Sequence, residues 1–482
     1  MKTTWGVIKN ETGKIRSRVI DFKLKLDDKT LNEDTEVAKA FETFFTDIPV
    51  FTTSSLNSSP ALAESLLRNN SSICDINLEF KFKHVSSEEV IKTFKSLDMK
   101  RTADIHGLSI IIVNSIIDYI APHLAFIFNK CLDDGVFPDL MKDSKVIPLF
   151  KGGSASSPNN FRPISILPSL SKIFEKLILK QLLVHFYTNK LMSNKQFGFT
   201  RGRSTIDAGV ELVQHIFGAW EDSRDAISIF CDLSKAFDCV HHETLIGKLR
   251  HYGVTGRALD LLKSYLSNRV QRVDVNNTRS SGSIVHMGVP QGSILGPFLL
   301  VYINDLPSLV KDAHEIVLFA DDTSLLFKVK RQQPTYDDVN NAISKVEKWF
   351  TANNLLLNEM KTKCIRFSLP NVRHGSGTIS VRNKELEFVN STVFLGITLD
   401  DRLQWGPHIS KLAKRLSSAA YAVKKMRNLS DVETARLVYF SCFHSLMSYG
   451  ILLWETPGYS ENFRAAEAGR SRNLQARTSY IP

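Results

Sequence analysis

Several common site signatures are absent from this 482-residue sequence, and each absence argues against a class of protein. The six cysteines form no CxxC pair and no histidine cluster follows them, so neither a zinc site nor a disulfide framework is expected. No GxGxxG fingerprint and no P-loop occurs, which argues against a dinucleotide-binding domain or a P-loop NTPase. The segment HHETL lacks the second histidine of a zinc hydrolase motif. The function must therefore rest on other residues.

Targeting and membrane signals are also missing. The opening residues, MKTTWGVIKNETGK, have no apolar core of the kind that a signal peptide needs. The most apolar stretch, residues 108–128, is interrupted by Asn114, Asp118 and Pro122, which predicts a buried helix and not a membrane span. We therefore expect an intracellular protein in a reducing compartment, with no membrane partner.

The composition is that of an ordinary globular protein, with 43% hydrophobic and 23% charged residues. Sixty-one basic residues against 50 acidic ones give a formal net charge of +11. An excess of this sign suits a polyanionic partner such as nucleic acid. On charge alone, a basic protein without such a partner remains an open alternative.

One amphipathic helix, predicted over residues 409–427, concentrates positive charge. Its apolar stripe is Ile409, Leu412, Leu416, Ala419, Val423 and Met426. Lys411, Lys414 and Arg415 lie mostly off that stripe, on a face that carries no acidic residue. Two interpretations remain open: contact with a nucleic-acid backbone, or a solvated charged face.

Two adjacent aspartates stand between apolar runs in IVLFADDTSLLF. The alternation predicts a hairpin with Asp321 and Asp322 at its tip, although aspartate is a common turn former by itself. A second acid, Asp232, ends the apolar strand AISIFCD. If the strands at 227–232 and 316–320 are neighbours in one sheet, the carboxylates meet at its edge. Clustered carboxylates repel unless a cation neutralises them, and Mg²⁺ is the natural oxygen-ligated choice.

Seven blocks in order carry a family resemblance. LSKAFDCV, GVPQGSILGP and FADDTSLLF resemble the palm of a reverse transcriptase, most closely those of non-LTR (LINE-type, jockey-like) retrotransposons. The preceding blocks, VIPLFKGGSASSPNNFRPISILP and QFGFTRGRSTIDA, resemble the same family. So do the following ones, WFTANNLLLNEMKTKCIRF and FLGITLD. The resemblance covers roughly residues 35–454.

The resemblance implies roles for individual residues. Asp232, Asp321 and Asp322 match the carboxylates that bind two Mg²⁺ ions, with Mn²⁺ as the alternative, and Asp322 is expected to contribute least. Phe237 matches the aromatic residue that excludes a ribose 2′-hydroxyl. Lys151 and Arg162 match residues that hold the incoming triphosphate, and Gln291 and Gly292 match the segment that supports the incoming nucleotide. Lys361 matches a lysine that is a candidate proton donor to the leaving pyrophosphate. Arg201 and Arg203 are assigned to contacts with the template or primer backbone.

The fold class implied is α+β, a right-hand polymerase with fingers, a palm built on an antiparallel sheet and a helical thumb. The expected divisions are an N-terminal linker or extension (1–75), fingers with part of the palm (76–225), palm (226–334), palm end and helical thumb (335–454) and an aberrant tail (455–482). No apurinic-type endonuclease is recognisable, so we expect extension of a supplied primer without target nicking.

The function implied is RNA-directed DNA polymerase activity, with an RNA template, a DNA primer and dNTPs as partners. The site of action is expected to be the nucleus, with the cytoplasm as the alternative, and the oligomeric state is not indicated. Two rival hypotheses are an intron-encoded maturase and a catalytically inactive, nucleic-acid-binding remnant of such an element.

Overall fold

The computed structural model describes residues 22–26, 29–70, 78–310, 314–332, 335–370, 372, 377–382 and 384–454. The predicted tail over 455–482 therefore lies outside the described residues. The strands are β1 Leu24–Leu26, β2 Lys29–Leu31, β3 Ser144–Phe150, β4 Phe161–Ile166, β5 Asp225–Cys231, β6 Leu233–Ser234, β7 Arg269–Val275, β8 Thr278–Arg279, β9 Ser283–Val285, β10 His314–Phe319, β11 Asp322–Val329, β12 Leu356–Leu357, β13 Lys363–Phe367, β14 Ser380–Val381, β15 Lys384–Glu385, β16 Ser391–Phe394 and β17 Ile397–Asp400.

Helices fill most of the remainder, so the described chain is mixed helix and sheet. The α-helices are α1 Asp34–Thr53, α2 Pro60–Asn70, α3 Ser87–Lys95, α4 Ile110–Asn114, α5 Ile117–Asp134, α6 Ser169–Thr188, α7 Thr205–Glu221, α8 His242–His251, α9 Gly256–Leu266, α10 Phe298–Ile303, α11 Asp337–Ala352, α12 Gly406–Leu429, α13 Val432–Val438, α14 Ser445–Ser448 and α15 Ile451–Trp454. Short 3₁₀ turns occupy Asp139–Met141, Pro158–Asn160 and Leu306–Leu309, and a π-helical turn occupies Tyr439–His444.

A four-stranded antiparallel sheet, the central sheet, is the element that positions the candidate site. Its strand order is β10-β11-β5-β13. Successive side chains of β5 point to opposite faces. Ile227 and Ile229 join one buried cluster, and Ala226 joins another that includes Leu212 and Ile216 of α7. Burial on both faces explains the nearly continuous apolar sequence of this strand.

A second sheet has the order β4-β3-β7-β8, with β9 also paired to β7, and β3 and β7 run parallel. Helix α1 packs its aromatic face on it: Phe41 and Phe45 share a core with Val146, Phe161 and Val273. Part of the segment assigned to an N-terminal extension thus belongs to this core. The domain bounds themselves stay predictions.

The C-terminal helices begin with α12, which extends beyond the predicted 409–427 at both ends. Leu412, Ala419 and Met426 of the predicted stripe are buried, whereas Ile409, the first residue of that stripe, is 40% exposed. The following stretch, Val432–Trp454, is long and apolar enough to cross a membrane by length and composition alone, and little of it is buried. The expected absence of a membrane partner stays a prediction.

Candidate active site

The three predicted metal-binding aspartates are brought to one end of the central sheet. Strand β5 pairs antiparallel with β11, and the last pair is Cys231 opposite Thr323. Asp232 and Asp322 are the next residues along the two strands, one step beyond that last pair. The direct neighbour of β5 is therefore the second strand of the hairpin, and not the 316–320 strand considered from sequence. Asp321 lies in the hairpin turn beside them.

The hairpin itself is as predicted: β10 and β11 pair from His314 with Phe327 to Phe319 with Asp322. Only Ala320 and Asp321 form the turn, and Ala320 has φ of +54°. Positive φ at the first turn residue normally calls for glycine, so an alanine here stores backbone strain. The surrounding structure must hold this turn in place.

Electrostatics in the cluster favour a cation. Burial raises the pKa of Asp321, and the neighbouring Asp232 raises it further. Burial together with Asp321 and Asp232 raises the pKa of Asp322 to about 6. Asp322 is nevertheless exposed to solvent, so its carboxylate lies in an open cleft with protein around it. Such a group is desolvated yet reachable by an ion from solvent.

Basic side chains surround this acidic cluster. Lys361 Nζ lies 3.8 Å from Asp232 Oδ2, and the Arg162 guanidinium acts to lower the pKa of Asp321. Lys151 follows β3 and Arg162 lies on the paired β4. Burial lowers the pKa of Lys151, and the positive charges of Lys235, Lys361 and Arg162 lower it further. Four cations thus share one region, which is the arrangement that a polyphosphate would neutralise.

The predicted nucleotide support is a tightly fixed loop. Gln291 Nε2 donates to both carboxylate oxygens of Asp238, at 2.9 and 3.1 Å, and its carbonyl oxygen accepts from Ser165 N at 2.8 Å. Gly292 has φ of +122°, and a Cβ there would lie 2.5 Å from Ser165 O. Only glycine fits this close approach. Phe237 is half-buried, and its carbonyl oxygen accepts from Val289 N at 2.9 Å.

Three further residues, to which sequence patterns assigned no role, complete this region. Lys235 is a fourth cation beside Lys151, Lys361 and Arg162, and burial lowers its pKa. Asp238 fixes Gln291, and burial raises its pKa. Glu175, fully buried, accepts from Ser293 Oγ and Ile294 N at 2.9 Å each, so it anchors the chain just after Gly292. Lys235 and Asp238 lie within the LSKAFDCV block, whose position after Asp232 could have indicated them. No sequence pattern indicated Glu175.

The predicted nucleic-acid contacts lie outside this cluster. Arg201 is exposed, whereas Arg203 donates to the carbonyl oxygen of Asn194 and lies 4.7 Å over the ring of Phe197. The basic residues Lys411, Lys414 and Arg415 are all exposed on α12. Their roles stay predictions, and Arg203 has an internal structural use in addition.

In the described part of the chain, one group of three metal-ligating side chains has donor atoms all within 4.8 Å of one another: Glu211, His215 and Glu315. The three aspartates are not drawn that close. Lys195 already forms ion pairs with Glu211 and Glu315, and His215 Nε2 lies 3.3 Å from Glu315 Oε2. An ammonium therefore neutralises these carboxylates, and we read the group as an ion-pair network.

Comparison with known proteins decides the family. Residues 150–399, just over half of the chain, match the family model described as reverse transcriptase (RNA-dependent DNA polymerase). The chain belongs to the reverse transcriptase family. The matched range includes the aspartate cluster, its surrounding cations and the Gln291 loop.

Curated relatives give the same answer and confirm the resemblance to jockey-like, LINE-type elements. The chain is 30% identical over 420 residues to the probable RNA-directed DNA polymerase from transposon BS of Drosophila melanogaster, covering 84% of this chain and 46% of that protein. For the enzyme from mobile element jockey of the same organism, identity is 29%, covering 76% and 42%. For transposon X-element it is 27%, covering 69% and 37%. The chain thus spans less than half the length of these curated relatives.

Proposed function

We propose that this chain is an RNA-directed DNA polymerase, which adds deoxynucleotides to a DNA 3′-hydroxyl on an RNA template. The observation that carries the proposal is the meeting of Asp232 with the Asp321–Asp322 turn, in front of Lys151, Arg162 and Lys361. Membership of the reverse transcriptase family supports it, and the three relatives named above are described as RNA-directed DNA polymerases.

The donor set fits a divalent cation. Two carboxyls with raised pKa values face a third one, and all are oxygen donors of the kind that Mg²⁺ prefers. Asp232, Asp321 and Asp322 would hold two Mg²⁺ ions, with Mn²⁺ as the alternative. When bound, such ions lower the pKa of the attacking hydroxyl and stabilise the charge on the departing pyrophosphate.

The chain's own side chains bind and orient the nucleotide. Lys151 and Arg162 hold the triphosphate, as a point charge and a bidentate donor respectively. Gln291 and Gly292 support the nucleotide from below, and Phe237 excludes a ribose 2′-hydroxyl. In the reaction, the primer 3′-hydroxyl loses its proton to solvent water and its oxygen forms a bond to the α-phosphorus, while the bond from the α-phosphorus to the bridging oxygen of pyrophosphate breaks. Lys361 is the proposed donor of a proton to the leaving pyrophosphate.

The proposed architecture is a right hand. The fingers span 76–225 and the palm 226–334, where the central sheet contributes β5, β10 and β11. The palm end and the helical thumb span 335–454, and the basic face of α12 contacts template or primer backbone. In an intact element such an enzyme copies the element's RNA at a nicked chromosomal site, so the proposed site of action is the nucleus.

Extension of oligo(dT) on poly(rA) by the purified protein with Mg²⁺ tests this function. We expect extension by the wild type, and a loss of more than about a hundredfold in Asp321→Asn, since even residues that only orient metal ligands change activity by about 10–100-fold. Asp98→Asn is the matched control, because this aspartate is 84% exposed and ion-pairs with Lys100. It should extend at the wild-type rate.

Two results would contradict the proposal: no extension by the wild type, or equal extension by wild type and Asp321→Asn. RNA binding that persists without extension would favour the alternative, a catalytically inactive, nucleic-acid-binding remnant. A filter-binding measurement with the same poly(rA)/oligo(dT) duplex separates these two outcomes.

A further inference from the structure

A short segment covers the outer edge of the catalytic hairpin. Residues 195–199 run beside β10: Gln196 bridges Leu318 in parallel, Phe197 N donates to Leu318 O at 2.8 Å, and Leu318 N donates to Lys195 O at 3.0 Å. Strand β10 is at one end of the central sheet, so this segment satisfies backbone groups that an edge strand leaves unpaired. It ends directly beside the strained turn.

The side chain of Gln196 reaches into that turn. Its Oε1 accepts from Ala320 N at 3.0 Å and from Gly198 N at 2.7 Å, and the residue is only 2% exposed. Its Nε2 has no hydrogen-bond partner within the described residues. The contact with the turn is therefore made by the oxygen. It accepts from the backbone N–H of Ala320, the turn residue with positive φ, immediately before Asp321.

Neighbouring residues hold the Gln196 segment against the hairpin. At Gly198 a Cβ would lie 2.3 Å from Ala320 N, so only glycine allows this approach. Thr200 Oγ1 donates to the carbonyl oxygens of Gln196 and Gly198, at 3.2 Å each. Arg203 donates to the carbonyl oxygen of Asn194 and lies over the Phe197 ring. The segment is thus a fixed support for the turn.

We propose that Gln196 is a positioning residue, whose Oε1 fixes the Ala320–Asp321 turn and so holds the Asp321 and Asp322 carboxylates where they can share cations with Asp232. The inference rests on the polymerase function proposed above and assigns a further residue to it. The turn needs such support because strain at Ala320 and repulsion among the carboxylates both drive it to relax when no ion is bound.

Two variants separate positioning from a general structural role. Gln196→Met keeps the length of the side chain and removes the acceptor. Gln181→Met is the matched control: Gln181 also makes two main-chain hydrogen bonds, with Lys83 N at 2.8 Å and Lys83 O at 2.9 Å, but it lies on α6, away from the turn.

The first measurement is amide hydrogen exchange at Ala320 in the metal-free protein. We expect exchange roughly two- to tenfold faster in Gln196→Met, because one hydrogen bond is lost, and wild-type exchange in Gln181→Met. The second is Mn²⁺ binding followed by electron paramagnetic resonance. Here Gln196→Met should bind about tenfold more weakly, and Gln181→Met as the wild type does.

The outcomes distinguish this inference from the function on which it rests. Unchanged Ala320 exchange and unchanged Mn²⁺ binding in Gln196→Met overturn the inference, even if the wild type extends primers. If Gln196→Met shows faster exchange and weaker Mn²⁺ binding while the wild type extends no primer, the proposed function is overturned and the positioning role stands. Equal effects of Gln196→Met and Gln181→Met on both measurements would reduce Gln196 to a fold-stabilising residue and overturn the inference.

Discussion

Cys231 and Thr323 form the last pair of two antiparallel strands, and Asp232 and Asp322 are the residues that come directly after this pair at the end of the sheet. The register of the central sheet therefore decides whether the carboxylates meet. A slip by one residue between β5 and β11 would turn one of the two side chains to the other face. The buried, two-sided packing of both strands guards against such a slip, so the core of the sheet also sets the geometry of the site.

The carboxylate cluster should make the metal-free protein less stable as the pH rises. The pKa of Asp322 is raised to about 6 in the fold, above its ordinary value of 3.8. A raised pKa contributes stability below the ordinary value, and this contribution is lost as the pH rises towards about 6. We expect Asp322→Asn to gain stability over the wild type between pH 4 and pH 7, measured by urea unfolding in EDTA. A difference that does not change with pH would contradict this expectation.

Local sequence patterns were sufficient to predict features that depend on residues close together in the sequence. The hairpin around Asp321 was predicted from alternation and turn chemistry, and it is present. Ser86 and Glu89 form a capping box at the start of α3, and Val339, Ile343, Val346 and Phe350 lie on the buried face of α11 at helical spacing. These features depend on residues a few positions apart, which is the range over which periodicity and capping act.

Features that depend on distant contacts were not predictable in this way. Strand β11 lies between β5 and β10 in the sheet, and the periodicity of a sequence does not determine the order of its strands. Gln196 meets Ala320 across 124 positions of sequence, and nothing in its immediate neighbours marks its amide as an acceptor for that turn. Ile409 fits the helical stripe by spacing, but no element packs over it sufficiently to bury it.

Crowding at Gly292 gives a prediction about nucleotide use. A Cβ at this position would lie 2.5 Å from Ser165 O, and the backbone has φ of +122°. Gly292→Ala should therefore shift the Gln291 loop and raise the KM for dTTP by about tenfold, since backbone strain of this kind costs on the order of 1–3 kcal/mol. The control is Gly107→Ala, with φ of +79° and no described atom within 4 Å of its Cβ. Equal KM values for both variants would sink the prediction.

A buried ion pair gives a prediction about stability. Lys248 Nζ lies 2.6 Å from Asp305 Oδ1, with side-chain exposures of 1% and 4%, and Trp349 Nε1 donates to the same carboxylate at 2.7 Å. Lys248→Met leaves that carboxylate buried without its cation and should cost about 3–5 kcal/mol in the free energy of unfolding. Urea unfolding measures it.

The matched control for this pair is Lys328→Met. Lys328 pairs with Asp222 at a similar 2.7 Å, but the two side chains are 33% and 52% exposed. Solvent screens such a pair, so the substitution should cost only about 0–1 kcal/mol. A loss at Lys248 no larger than that at Lys328 would show that the buried pair is not a main source of stability.

The basic face of α12 gives a prediction about salt dependence. Lys414 and Arg415 are exposed, and if they contact the primer–template backbone they displace counterions from it. Each contact removed should reduce the slope of log binding constant against log salt concentration by about 1, so Lys414→Ala/Arg415→Ala should reduce it by about 2. The measurement is fluorescence anisotropy with a labelled poly(rA)/oligo(dT) duplex at several salt concentrations. The matched control is the double variant Lys345→Ala/Lys348→Ala. It removes the same amount of charge from exposed positions on α11 and should leave the slope at the wild-type value. If the two double variants change the slope equally, α12 acts only through net charge and not through specific backbone contacts.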